Sequence, residues 1–377
     1  MRIAMIGQKG IGIGERGGGI EQHVAALAKF LAARGHDVTV YGRPAYGCKN
    51  EVRKTEGGTI RVRCLPTVYR KNFEAIVHTF LCTVDALFQR YDIIHYHGVG
   101  PATLAWIPRV FQPRARVVAT FHAQDRFHQK WGIIARSYLW LGEWAACWFP
   151  HATIAVSHVI QVFARQSLHR QIVYIPNGAT VESDARVDAL SSFGLAPGKY
   201  VLNVSRLVPH KGQRYLIEAY QALASEGVDL PKLVFVGAES YTSGYEDELK
   251  RAAAGNPDIL FLGYQTGEAL RQLFAHAFLY VQPSESEGLP VVVLEAMSYG
   301  TSVLVSDIPE NLEAIKRAGF WFRNKDTASL ADKLRELIQH PDVVHASSKQ
   351  VQDVIREYFS WPVIAEHVEE VYRSVRH

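Results

Sequence analysis

Two carboxylates eight positions apart, Glu287 and Glu295, flank a helix start within the stretch Pro283 to Gly300. An apolar run, Phe278 to Val281, precedes them and reads as a buried strand ending in a turn. Pro290 suits the first helical position, where a missing N–H costs nothing, and Gly300 can close the far end. Such a helix start offers free N–H groups and partial positive charge, a seat for phosphate. At about 1.5 Å per helical residue the carboxylates stand roughly 8–12 Å apart. That is too wide for the retaining glycosidase pair, which needs about 5 Å. The span fits a diphosphate with a hydroxyl-rich group at each end. It also fits a solvated Glu287 and a plain surface glutamate at 295.

A second set is cationic. The apolar strand Lys199 to Ser205 runs into Arg206-Leu-Val-Pro-His-Lys211-Gly212. Arginine forks onto phosphate oxygens, and lysine supplies a mobile point charge. Fixed cations aimed at a leaving group that gathers negative charge lower the barrier without a protein nucleophile. Two cations after a strand are otherwise ordinary solvated surface. His122 follows the strand Arg116 to Phe121, at the edge where open parallel sheets bind ligands. A single histidine there is also often only a local hydrogen-bonder. His95 and His97 share a strand face in Tyr91 to Gly98, but no acidic or cysteine partner is spaced nearby, so no metal is expected.

These residues need strands and helices to hold them. Arg2–Ile6, a glycine loop, the helical spacing of Ile20 to Ala33 closed by Gly35, and the strand Gly35 to Tyr41 form an opening βαβ unit. The loop contains G-x-G-x-x-G at Gly12, Gly14 and Gly17, which supports an alternative, an NAD(P)-dependent oxidoreductase. That match sits past the tight turn, and Gly42-Arg43 stands where an acidic residue should end the second strand. Further on, Lys232 to Gly237 and Ile259 to Gly263 read as strands, Glu268 to Ala277 as a helix and Ser302 to Val305 as a strand. The alternation predicts an α/β protein.

Composition bounds the rest. A chain of 377 residues, 48% hydrophobic and 21% charged, suits two domains. Met1–Ile6 meets Gly7 at once, without a signal-peptide core. The uncharged run from Trp144 is broken by Pro150 and His151, so it is not read as a membrane span. Cys48, Cys64, Cys82 and Cys147 form no C-x-x-C and no evident disulfide framework, so a reduced, cytoplasmic protein is expected. Net charge is +4, yet residues 1–177 hold 22 Lys and Arg against 10 acids, and residues 178–377 hold 19 against 27. The basic first half suits an anionic membrane surface or a lipid phosphate. No nucleic-acid motif accompanies it. Arg61, Arg63, Arg70 and Lys71 precede an apolar helical segment, Phe73 to Phe88, that fits either a bilayer or a protein core. Trp131, Tyr138, Trp140, Trp144 and Trp148 crowd the next helices and are expected to be mostly core, with some facing a lipid or glycan acceptor.

The Glu287 to Gly300 stretch resembles the E-x7-E signature of retaining GT-B glycosyltransferases of family 4, with Glu, Gly, Pro, Glu, Ala and Gly at the family spacing. Further matches are Gly18-Gly19-Ile20-Glu21, the D-I-x-H-x-H around His95 and His97, His122-Ala-Gln-Asp125 with Lys130-Trp131, Ile175-Pro-Asn-Gly178 and Val204-Ser-Arg206-Leu…Lys211-Gly212. The resemblance covers nearly the whole chain and is strongest over 200–300. It implies two facing doubly wound domains, an acceptor-side domain over 1–178 and a donor domain over 179–358, with residues 359–377 as a helix crossing back. It implies transfer of a sugar from a nucleotide donor to a saccharide or lipid-diphosphate-linked acceptor, as in bacterial polysaccharide and rhamnosyl transfer, with no metal and no cofactor. By matching position, Glu295 holds the donor ribose and Glu287 the sugar hydroxyls. The Gly288–Leu289, Gly18 and Gly19 backbones meet the diphosphate, and Tyr264 covers the base. Arg206, Lys211 and His122 join Glu287 in catalysis, and Glu21 and Asp125 lie toward the acceptor. One departure is a loop after Lys9-Gly10 that is about two residues longer than the family form and lacks its proline. Besides the oxidoreductase, a non-catalytic nucleotide-sugar-binding relative and a nucleotide-sugar epimerase fit the same fold.

Overall fold

The computed structural model describes every residue except 15–16, 69, 71–72, 125, 127–132, 240–243 and 377, and of 133–135 only the backbone. The chain forms two compact units, Met1–Asn177 with Trp361–His377, and Gly178–Ser360. The boundaries read from the sequence, after 178 and 358, become 177 and 360.

The first unit is built on an eight-stranded sheet. Its strands are β1 (Arg2–Ile6), β2 (Asp37–Gly42), β3 (Glu51–Lys54), β4 (Thr59–Cys64), β5 (Ile93–His97), β6 (Arg116–Phe121), β7 (Ala152–Ala155) and β8 (Val173–Tyr174). Their spatial order is β3-β4-β2-β1-β5-β6-β7-β8, and every pairing is parallel except β3 with β4. Buried on both faces, the central strands read as continuous apolar runs, as in Ile3, Ala4, Met5 and Ile6. Helix Gly19–Ala33 covers one face through Val24, Leu27, Ala28 and Leu31. The terminal helix Trp361–Ser374 joins the same core through Trp361, Ile364, Val368 and Tyr372.

Two expectations for this unit fail. Residues 44–90 hold the hairpin β3–β4, and its alternation was available in Thr59-Ile-Arg-Val-Arg-Cys64, where Ile60 and Val62 are buried. The hairpin also brings Cys48 to Cys64, at a Cα–Cα distance of 5.9 Å, and they form a disulfide. The spacing of cysteines along the chain carries no trace of this, because the strand register makes the pair. Cys82 and Cys147 are free and buried. The aromatic cluster is also less buried than expected: Tyr138, Trp140 and Trp148 are exposed on the helix Ile133–Trp148. Trp131 lies outside the described residues.

The second unit has six parallel strands, β9 (Tyr200–Val204), β10 (Lys232–Val236), β11 (Ile259–Phe261), β12 (Leu279–Gln282), β13 (Val303–Ser306) and β14 (Phe320–Phe322). Their order is β11-β10-β9-β12-β13-β14. The chain winds outward from β9 in one direction and from β12 in the other, so the switch of direction lies between β9 and β12. The crevice at such a point, outside the carboxyl ends of the strands, is where open α/β sheets bind ligands. In the first unit the corresponding point lies between β1 and β5. Among the described residues no helix is long and apolar enough to cross a membrane.

Candidate active site

The switch point of the second unit gathers most of the chemistry read from the sequence. Arg206 and Lys211 follow β9, and Glu287 follows β12. The two loops are stitched together, because Glu285 N–H donates to the His210 carbonyl at 2.8 Å. Gly212 must be glycine: its φ is +71°, and a Cβ there would stand 2.0 Å from the Pro283 carbonyl oxygen. Gln213, buried, donates to Ser205 Oγ at 2.9 Å and to the Arg206 carbonyl at 2.8 Å, which fixes the turn carrying Arg206. The Arg206 side chain itself is exposed and has no ion-pair or hydrogen-bond partner among the described residues. It is an anchored backbone with a free fork.

Lys211 and Glu287 are not two separate instruments. Lys211 Nζ donates to Glu287 Oε1 at 2.6 Å, with both side chains largely buried. Gln282 Nε2 donates to the same oxygen at 2.8 Å, and Tyr280 OH donates to Gln282 Oε1 at 2.5 Å. Burial pushes the Glu287 carboxyl upward, but the Lys211 charge and the hydrogen bonds from Lys211, Ser284 and Gln282 prevail and hold it below its usual range. Glu287 is therefore a carboxylate with a fixed orientation. Tyr280, Gln282 and Ser284 escaped the sequence reading, although polar residues closing an apolar strand at Gln282-Pro-Ser284 were a usable sign.

Glu295 sits in the helix Val291–Ser298. Pro290 is the N-cap of that helix rather than its first residue, with ψ 96° outside the helical range. Burial raises the Glu295 carboxyl to about 7. Gly288 and the buried Leu289 lie just ahead of the helix, and Tyr264 in the loop after β11.

In the first unit Gly18 caps helix Gly19–Ala33, and Gly19 is its first residue. Both Glu21 oxygens are used locally: Oε1 accepts from Lys9 N–H at 3.0 Å and Oε2 from Gly18 N–H at 2.8 Å. The expected acceptor-side Glu21 thus shapes the glycine loop. Asp125 and Lys130-Trp131 lie outside the described residues. Gly12, the first glycine of the G-x-G-x-x-G match, lies well past the end of β1, and Arg43, just after β2, is buried on Glu74 and the Gly7 carbonyl.

His122, buried at the end of β6, pairs its Nε2 with His97 Nδ1 at 3.2 Å. Burial, then the neighbouring His23 and His95, hold its pKa well below the usual histidine value, so it is a neutral imidazole. His95 is structural. Its Nδ1 meets Tyr372 OH and its Nε2 meets Thr120 Oγ1, each at 2.7 Å.

Residues 17–183 match the family model described as Glycosyltransferase Family 4, and residues 193–354 match Glycosyl transferases group 1. The chain belongs to the GT-B glycosyltransferases of the family 4 type. This glycosyltransferase is 28% identical over 381 residues to a phosphatidyl-myo-inositol mannosyltransferase of Mycobacterium leprae, across 95% of its own length and 93% of the relative's. Among solved structures it resembles a sucrose-phosphate synthase from Thermosynechococcus elongatus (TM-score 0.83, 21% identity, 100% of this chain and 99% of the other). It also resembles Anabaena HepE, solved with UDP and glucose (TM-score 0.78, 20% identity, 99% of this chain and 100% of the other). At these identities the structures show a common fold. As a glycosyltransferase the chain leaves no place for the oxidoreductase alternative.

Proposed function

We propose that this glycosyltransferase moves a sugar from a nucleotide-diphosphate donor, with retention, to a saccharide or lipid-diphosphate-linked acceptor in bacterial cell-surface polysaccharide synthesis. The observation that carries the donor class is the unpaired Arg206 fork beside the Lys211–Glu287 pair at the β9–β12 switch point. A diphosphate is the ligand that a free guanidinium and the backbone at 288–289, ahead of a helix, jointly suit. Arg206 and Lys211 stabilise the leaving diphosphate; the expected Gly18 contact drops out, because the Gly18 N–H donates to Glu21 Oε2. Glu287, held by Lys211 and Gln282, orients the sugar hydroxyls, while Glu295 takes the ribose and Tyr264 covers the base. The leaving phosphate itself accepts the acceptor's proton, so transfer needs neither a protein nucleophile nor a metal. The family resemblance assigns His122 to the donor sugar and Asp125 to the acceptor, and Glu21 serves the acceptor side indirectly by holding the glycine loop.

The experiment is a thermal-shift panel of UDP-, GDP-, dTDP- and ADP-sugars with NADH and NADPH alongside, followed by turnover with the donor that binds. One nucleotide sugar should raise Tm by mass action, and Arg206→Ala should abolish the shift. A shift only with a nicotinamide nucleotide would sink the reading, and donor binding without turnover would indicate a non-catalytic relative. A product sugar that stays activated would indicate an epimerase.

Contact with an anionic membrane surface is part of the proposal. Phe73, Phe80 and Phe88 are exposed on or beside helix Glu74–Leu87, with Trp106, Val110 and Phe111 exposed on helix Trp106–Phe111, in the basic first half of the chain. Apolar anchors with basic charge suit an anionic lipid surface. Co-sedimentation with phosphatidylglycerol vesicles should occur at low salt and weaken in Phe88→Ser. Failure to bind at low salt refutes the contact.

A further inference from the structure

Three histidines from three elements converge beside the β1–β5 switch point. His23 comes from helix Gly19–Ala33, His97 ends β5, and His122 follows β6. They are 3%, 1% and 8% exposed, and one ligand nitrogen from each lies within 4.8 Å of the others. The nitrogen that His23 offers, Nε2, is buried with no hydrogen-bond partner. An unpaired buried polar atom is costly, and native interiors rarely leave one without a reason.

The surroundings fit a cation better than chance burial does. His23 Nδ1–H donates to the buried Asn177 Oδ1 at 2.9 Å, which fixes the tautomer and leaves the Nε2 lone pair bare. A ligating histidine typically donates its other N–H to a carbonyl or carboxylate in this manner. His95, the fourth histidine of the group, is occupied by Tyr372 and Thr120 and contributes no ligand. The set is wider than a filled site, where bonds of about 2.0–2.1 Å place nitrogens roughly 3.4 Å apart. The His97–His122 pair already meets that spacing, so His23 supplies the adjustment.

We propose that His23, His97 and His122 bind one divalent transition-metal ion of the zinc class, a choice that three imidazoles favour over magnesium or calcium. The ion enters on the His122 side, the most exposed of the three. Filling the site removes His122 from the sugar, so the ion acts as an inhibitor of transfer. That consequence rests on the role proposed for His122; the binding does not.

Equilibrium dialysis of the full untagged chain against Zn2+ should show one tight equivalent. Co2+ should give the intense visible absorption of a four- or five-coordinate nitrogen site. His23→Gln should weaken binding, and Asn177→Ala, which spares all three ligands, should weaken it about tenfold. Should His23→Gln fail to fold, the wild-type cobalt spectrum and Asn177→Ala carry the test. No tight equivalent, a weak octahedral spectrum, or unchanged affinity in the variants overturns the site. Tight binding with undiminished transfer would keep the site and refute the His122 assignment alone.

Discussion

Glu295, the residue proposed to hold the ribose, is set against stability. Burial raises its carboxyl from the usual 4.5 to about 7. Between those values the folded chain holds a proton that the unfolded chain has released, so stability falls as pH rises through that window. Above it, the buried charge is borne in full. Glu295→Gln should therefore raise Tm at pH 8 and leave it unchanged near pH 4, while weakening donor binding. Thermal melts at the two pH values with and without donor check this; equal Tm changes at both would refute the assigned titration. Glu287 runs the other way, because Lys211 and Gln282 hold it charged. The E-x7-E spacing was plain in the sequence, but the different states of its two members were not. Burial alone raises Glu295, while Glu287 depends on Lys211, which is 76 positions away along the chain.

At the scale of elements, strand ends set the site. Parallel β9 and β12 are neighbours, so the loops after them meet, and Gly212 permits the close approach to Pro283. This was largely legible, since apolar strands followed by charged turns mark sheet edges. The β3–β4 hairpin was harder to see because its strands are short and mostly exposed, with only Ile60 and Val62 as inward residues. Its disulfide closes a loop of sequence separation 16, for which the chain-entropy estimate is about 3 kcal/mol. Cys48→Ser should lower Tm in oxidising buffer, and excess reductant should bring the wild type down to the same value. A reductant-insensitive melt would refute the bond's contribution.

For the whole molecule, the C-terminal segment is part of the first unit's core despite its distance in sequence. Trp361, Ile364, Ala365, Val368 and Tyr372 are buried in it, and Arg34 and His36 meet Glu369. Each buried large apolar side chain contributes about 1.5–3 kcal/mol, so four of them approach a typical domain's entire stability of about 5–15 kcal/mol. A chain ending at Ser360 should lose the cooperative unfolding of the first unit while the second still melts normally. Two intact transitions in calorimetry would refute this.

The sequence by itself determined the α/β class, the motifs at the strand ends and, through their resemblance, the doubly wound sheets and the glycosyltransferase family. Those features are local: a strand, a turn and a helix start are written in consecutive residues. Only the tertiary structure decided the pairing of Lys211 with Glu287, the Cys48–Cys64 bond, and the meeting of His23, His97 and His122. Each joins residues whose separation along the chain carries no trace of their separation in space. Sheet register and helix packing make those meetings, because they fix which strand ends and helix faces come together.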